Sequence, residues 1–164
     1  MPKVWLIELL SGVICALLLR RYVCLLAYVK GSSMMDTLRN RDLLFALRYH
    51  GKRGVRRCDV VLCRYPDRKE LFVKRVSGLP GERISMREGV VFINDVPITE
   101  DFPLRKSMRT FEPVEIGPDA YFVMGDNRLS SVDSRRVGPI ERGAILARVC
   151  AVVFPFSRRK KLRP

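Results

Sequence analysis

The sequence predicts a mostly β domain, an antiparallel sheet curled into a barrel-like shape, behind an N-terminal apolar anchor helix. Three observations predict it. Short runs rich in β-branched and aromatic residues recur from Tyr22 to Phe154, punctuated by Gly and Pro turns. The N-terminus is instead almost continuously apolar. The 164 residues contain no visible internal repeat or low-complexity stretch, and that length suits one domain with an appended segment.

The elements follow in order. Val4 to Leu19 is apolar apart from Glu8, Ser11 and Gly12. As a helix it would extend about 24 Å, against a bilayer core of about 30 Å. It reads as a membrane anchor of marginal length or a docking helix. A cleavable secretory signal fits poorly, because no small-x-small site precedes Arg20-Arg21. Tyr22 to Val29 is the first strand. The turn GSSMMDTL (residues 31–38) leads to strands at Asp42–Leu47, Val60–Tyr65 and Glu70–Val76, with a basic loop, Arg48–Arg57, after the first of them. Gly78-Leu79-Pro80-Gly81 closes the strand at Glu70–Val76. Asn94-Asp95 joins Val90–Ile93 to Val96–Ile98 as a tight hairpin. Residues 99–117 read as polar and irregular. Ala120–Met124 and Gly143–Phe154 are strands, and the basic tail Arg158–Arg163 is expected to fray. The division is therefore an anchor or docking helix over 1–21, a domain over 22–157 and a basic tail over 158–164.

Lys and Arg total 31 against 17 Asp and Glu, a formal charge of +14. Such a balance gives affinity for polyanions, a lipid surface or nucleic acid, but leaves the fold open. The sequence has no aromatic-rich RNA-binding motif and no zinc-finger spacing, so nucleic acid is not expected as a partner. The five cysteines form no C-x-x-C pair, and with one histidine they assemble no familiar metal site. Cys58 and Cys63 flank a strand and could pair; Cys15 and Cys24 read as apolar filler.

Two serines in a small-residue turn directly after a hydrophobic segment raise the question of a nucleophile, and a serine nucleophile needs a base. The single histidine, His50, sits in the basic loop with no carboxylate near it in sequence, as a solvated loop histidine would. The alternative is a lysine whose pKa is lowered by desolvation. In Leu71-Phe72-Val73-Lys74-Arg75-Val76, alternation puts Lys74 on one face with Phe72 and Val76, and turns Arg75 the other way. The strand alone leaves two readings open, a desolvated base and a lysine snorkelling at a strand edge. A third stretch, GDNRLSSVDSRRVGP (residues 125–139), is dense in side chains that bond their own backbone and reads as an ordered loop.

Together, GSSMMDTL, FVKRVSGLPGE and GDNRLSSVDSRRVGP resemble, in order and spacing, the type I signal peptidase family, which includes the mitochondrial inner membrane protease subunits. The resemblance runs from about Tyr22 to about Phe154. It implies a membrane-bound, mostly β serine endopeptidase that removes N-terminal targeting segments from translocated proteins with a Ser-Lys dyad and no metal or cofactor. By position it implies Ser33 as nucleophile and Lys74 as base. Ser131 matches the serine that orients the lysine amine, Asp133 and Arg135 a supporting ion pair, and Asp126 a structural aspartate.

Two positions depart from the family. Asp36 stands where a proline is usual, which loosens the backbone and places a carboxylate near the dyad, where it would raise the lysine pKa. Gly31 stands where many bacterial members have a serine that helps bind the oxyanion, which leaves the Ser33 N–H as donor. Other classes are weaker. A self-cleaving repressor shares the dyad but needs a DNA-binding domain, for which no room is expected before Ser33. A basic membrane- or nucleic-acid-binding relative without activity is the non-enzyme reading. Compact length and basicity resemble the mitochondrial subunits, with the catalytic side facing the intermembrane space; a bacterial plasma membrane enzyme is the runner-up. The flanking charges do not fix topology, and the need for a second homologous subunit stays open.

Overall fold

The structure, a computed structural model, describes residues 2–49, 54–66 and 68–162. Helix α1 (Pro2–Leu18) continues through one wider turn, Leu19–Val23, into β1 (Cys24–Tyr28). Ten further strands precede the last residues: β2 (Leu43–Arg48), β3 (Val60–Cys63), β4 (Phe72–Gly78), β5 (Arg83–Arg87), β6 (Val90–Ile93), β7 (Val96–Pro97), β8 (Phe111–Glu115), β9 (Ala120–Met124), β10 (Ile140–Glu141) and β11 (Ile145–Phe154). Helix α2 (Ser134–Val137) is a single turn, and β12 (Lys160–Lys161) ends the described chain. The larger sheet runs β1-β2-β11-β3-β4-β9-β10, with β12 added to β11; the smaller runs β7-β6-β5-β8. Every strand pair is antiparallel.

The long strand β11 breaks register twice against β2 and once against β3. Such bulges bend a strand and increase its twist, which curls the sheet into a half-barrel. One core cluster fills its concave side beneath the turn after β1, with Met34, Leu38, Leu44, Leu62 and Val149. A second lies under β3, β9 and β10. The third joins the small sheet to β9 through Ile84, Met86, Phe122 and Met124. At Gly78, where β4 also breaks register against β9, a Cβ would stand 3.0 Å from Phe122 Cβ and closer to Ile116, so the two sheets meet there over a bare backbone.

The hairpin at Asn94-Asp95 forms as expected, both residues carrying positive φ, 49° and 66°. Three expectations are corrected. Residues 99–117 are not wholly irregular, since β8 lies there and pairs with β5. The basic tail is held as far as Leu162, with Arg163 outside the described residues: Lys160 and Lys161 pair with Val152 and Ala151, and Arg158 makes a two-pronged bond to buried Asp42 at 2.8 and 2.9 Å. The N-terminal helix exists, but among the described residues no helix is long and apolar enough to cross a membrane. Helix α1 has 17 residues, about 25 Å. Its apolar side chains, Trp5, Ile7, Leu10 and Leu17 among them, stand half exposed or more. Ser11 returns its hydroxyl to the Glu8 carbonyl, which satisfies it inside an apolar helix. All five cysteines are free thiols, Cys58 and Cys63 included.

Candidate active site

Ser33 lies in the turn between β1 and β2, outside any strand. Gly31 opens that turn at φ +92°, a conformation that strains any residue with a Cβ. A serine at Gly31 would have open space for its side chain but would carry that backbone strain. The turn is nailed inward by Met34 and Leu38, both buried, and by Leu38 N–H donating to the Met34 carbonyl at 2.7 Å. Thr37 donates to Asp126 at 2.5 Å.

Lys74 comes from β4, where it pairs with Val61 of β3 on one side and has no ladder partner on the other. It is 2% exposed, and its Nζ donates to Ser33 Oγ at 2.9 Å. Burial pushes the Lys74 amine below its ordinary pKa, and outweighs the opposing pull of the nearby Asp133 carboxylate. Asp36 does not take part. It faces Arg105 in an ion pair at 3.0 Å, so the expected upward pressure from this carboxylate on the lysine is not found. The Ser33 N–H donates to none of the described residues, and so is free for an incoming oxygen. His50 lies outside the described residues.

Arg75 turns to the opposite face of β4, as alternation requires, but that face is also buried. Its guanidinium bonds Asp126 at 2.9 and 2.8 Å and the Cys58 carbonyl at 2.9 Å, and stacks 3.9 Å from the Phe102 ring centre. Asp126 thus joins β4 to Thr37 of the serine turn. Asn127 joins it again: its backbone N–H donates to the Ser33 carbonyl at 3.0 Å and its side chain to the Ser32 carbonyl at 3.1 Å. The sequence shows Asn127 within its motif but not this double grip. The order of the boxes is the signal that could have suggested it.

Asp133 and Arg135 do form an ion pair, at 2.8 Å. Burial pushes the Asp133 carboxyl up, but Arg135 and the Gly125 N–H, at 2.9 Å, outweigh it and hold the carboxyl low. Asp133 also caps α2. No hydrogen bond joins Ser131 to Lys74. Its Oγ is buried and makes no hydrogen bond of regular geometry with a described residue, but it lies near enough to Asp133 to help hold that carboxyl low. Ser131 packs over Gly125. A Cβ there would stand 2.5 Å from the Ser33 carbonyl oxygen and closer still to Ser131 Oγ.

A groove of about 690 Å³ runs past Ser33, between Leu26–Lys30 and the segment Glu70–Val73. Both walls present open backbone edges. β1 is the last strand of its sheet, and β9 pairs with β4 only from Arg75 onward, so Phe72 to Lys74 are paired on one side alone. A side pocket of about 440 Å³, with Tyr65, Phe72, Val132 and Val137 in its walls, opens beside it. Among the described residues no cluster of His, Cys, Asp and Glu could hold a metal.

The chain belongs to the signal peptidase family, peptidase S26, whose profile matches residues 3–154. It is a serine endopeptidase. It is 32% identical to signal peptidase I of Bacillus licheniformis, over 96% of this chain and 91% of that protein. It is 32% identical to signal peptidase I T of Bacillus subtilis, over 97% and 89%. A crystal structure of a signal peptidase I from Enterococcus faecalis superposes with a TM-score of 0.50 and 26% identity, over 57% of this chain and 94% of that one. These relatives are bacterial, and the mitochondrial subtype expected from the sequence has no support among them.

Proposed function

We propose that Ser33 and Lys74 are the catalytic dyad of this endopeptidase, and that it removes N-terminal signal segments from proteins translocated across a membrane. The observation that carries the assignment is the 2.9 Å bond from a buried lysine amine to the Ser33 hydroxyl. A substrate strand laid in the groove would pair with β1 on one side and Phe72–Lys74 on the other, which sets the scissile carbonyl against Ser33. Neutral Lys74 takes the Ser33 proton as Oγ bonds to the carbonyl carbon. The oxyanion accepts the Ser33 N–H. The C–N bond then breaks as the lysine returns the proton to the leaving amine. Water, deprotonated by the same lysine, hydrolyses the acyl-Ser33 ester. No metal or cofactor is required.

The exposed apolar side chains of α1 support its role as the membrane-associated element, residues 1–21, ahead of a catalytic domain over 22–157. For compartment, the bacterial relatives favour the plasma membrane of a bacterium, with the catalytic domain on the side where translocated chains emerge. The mitochondrial inner membrane, with or without a second homologous subunit, is the other setting. Product N-termini mapped after depletion separate the two. The dyad itself is tested by a pH–rate profile on a signal-segment peptide. The rate should rise with pH through an apparent pKa below that of ordinary lysine, and Lys74→Arg should be inactive because guanidinium does not deprotonate. Comparable rates for the two proteins would exclude the dyad.

A further inference from the structure

We infer that Asp36 and Arg105 form a positioning clamp that holds the serine turn in its reactive geometry. This inference rests on Ser33 as the nucleophile. Lys74 is fixed by the sheet, but Ser33 is not, so the dyad distance depends on how the turn is restrained. Restraint from inside comes from Met34, Thr37 and Leu38. The outer side of the turn is held by Asp36, three residues beyond Ser33, whose two carboxylate oxygens accept from Arg105 Nε and Nη2 at 3.1 and 3.0 Å. This is the paired geometry that fixes orientation as well as distance.

The other half of the argument is where Arg105 is anchored. Its backbone N–H donates to the Asp126 carbonyl at 3.0 Å, and its carbonyl accepts from Arg128 N–H at 3.0 Å. These bonds make an isolated bridge with Asn127, the residue that grips the Ser32 and Ser33 carbonyls. The contacts therefore close a ring: Ser33 to Asn127, Asn127 to Arg105, Arg105 to Asp36, and Asp36 back along the chain to Ser33. Neither Asp36 nor Arg105 touches Lys74 or lines the groove beside Ser33, so both act through the turn. The pair is about half exposed, and exposed pairs add little to global stability. Its influence should appear in the reaction and leave the melting temperature nearly untouched. The Arg105 guanidinium also holds the Asp36 carboxyl below the usual carboxylate range, which favours its charged, paired form.

The experiment compares wild type, Asp36→Asn, Arg105→Met and the exchanged pair Asp36→Arg with Arg105→Asp. Four readouts are used: the rate at which a small serine-directed acylating probe labels Ser33, kcat and KM on a signal-segment peptide, amide exchange over residues 32–36, and the melting temperature. Each single change should slow acylation and kcat about tenfold, a fraction of what a 1 Å displacement costs, with KM within about twofold. Exchange over the turn should rise while the melting temperature moves by no more than about 2 °C. The exchanged pair should recover most of the rate. Salt near 1 M should slow wild type but not the single variants. Unchanged rates in the single variants, an effect confined to KM, or an exchanged pair no better than the singles would overturn the clamp. So would a rate loss that tracks a fall in melting temperature. Labelling of wild type at a residue other than Ser33 would instead sink the dyad, and amide exchange would still decide the clamp.

Discussion

Gly125→Ala adds one methyl group at the point where the loop carrying Ser131 and Asp133 presses on the serine turn. Its Cβ would sit 2.5 Å from the Ser33 carbonyl oxygen and 2.6 Å from Ser131 Cβ. Ordinary carbon contacts begin at about 3.5 Å, so something must yield by about 1 Å. The Ser131 hydroxyl can rotate away, but the Ser33 carbonyl is held by the Asn127 N–H at 3.0 Å and cannot slide alone. Displacement therefore passes to Ser33 and its 2.9 Å bond with Lys74, which at nearly 4 Å is no longer a hydrogen bond. Overpacking of this kind costs about 1–3 kcal/mol, roughly 2–4 °C of melting temperature per kcal/mol for a chain of this size. Misplacement by about 1 Å lowers the rate roughly 100-fold. Thermal unfolding and kcat/KM on a signal-segment peptide measure both. A variant with wild-type kcat/KM would refute the reasoning, whatever its melting temperature, because Gly125 would then be spacing the loop and not Ser33.

Further outcomes follow from the same contacts. Ser33→Ala should abolish cleavage and leave the melting temperature within about 1 °C, while Ser32→Ala, which changes only the neighbouring hydroxyl, should retain most activity in the same peptide assay. Asp126→Asn leaves the buried Arg75 guanidinium without its carboxylate, and should cost about 3–5 kcal/mol in denaturant unfolding. Lys74→Met should be inactive yet more stable than wild type at neutral pH. The folded pKa of Lys74 lies below its ordinary 10.5, so between those values the unfolded chain holds more protons and wild-type stability rises with pH. The gap between the two proteins in denaturant midpoint should therefore narrow as pH approaches 10.5; a constant gap would mean Lys74 is charged in the fold.

Much of the site was legible because its chemistry is local. Lys74 sits among apolar neighbours at strand spacing, and the three boxes keep their order along the chain. What escaped was set by contacts distant in sequence. β8, Phe-Glu-Pro-Val-Glu, alternates poorly and contains a proline, because it is the edge strand of the small sheet and one side needs no ladder partner. β5 is short and begins and ends on arginine. The tail looked frayed because its charges face water in sequence, whereas Arg158 reaches Asp42 across 116 residues. Asp36 looked like a disturbance to the lysine because its partner, Arg105, lies 69 residues away. Ser131 matched by position, but the packing of its hydroxyl over Gly125 is a matter of backbone approach that no residue pattern records.

If substrate joins the two open backbone edges flanking the groove, as proposed, a consequence follows for which chains are cut. A segment can enter only if its own N–H and C=O groups are free to join the seam, and a helix has already committed them internally. Entry thus requires several consecutive residues to be unwound at once. A precursor whose sequence next to the cut site folds early, or continues as helix, presents nothing for β1 and Phe72–Lys74 to pair with, and stays intact even when tethered within reach. On that binding mode the enzyme reads local conformation before it reads side chains, and the timing of substrate folding becomes a determinant of cleavage.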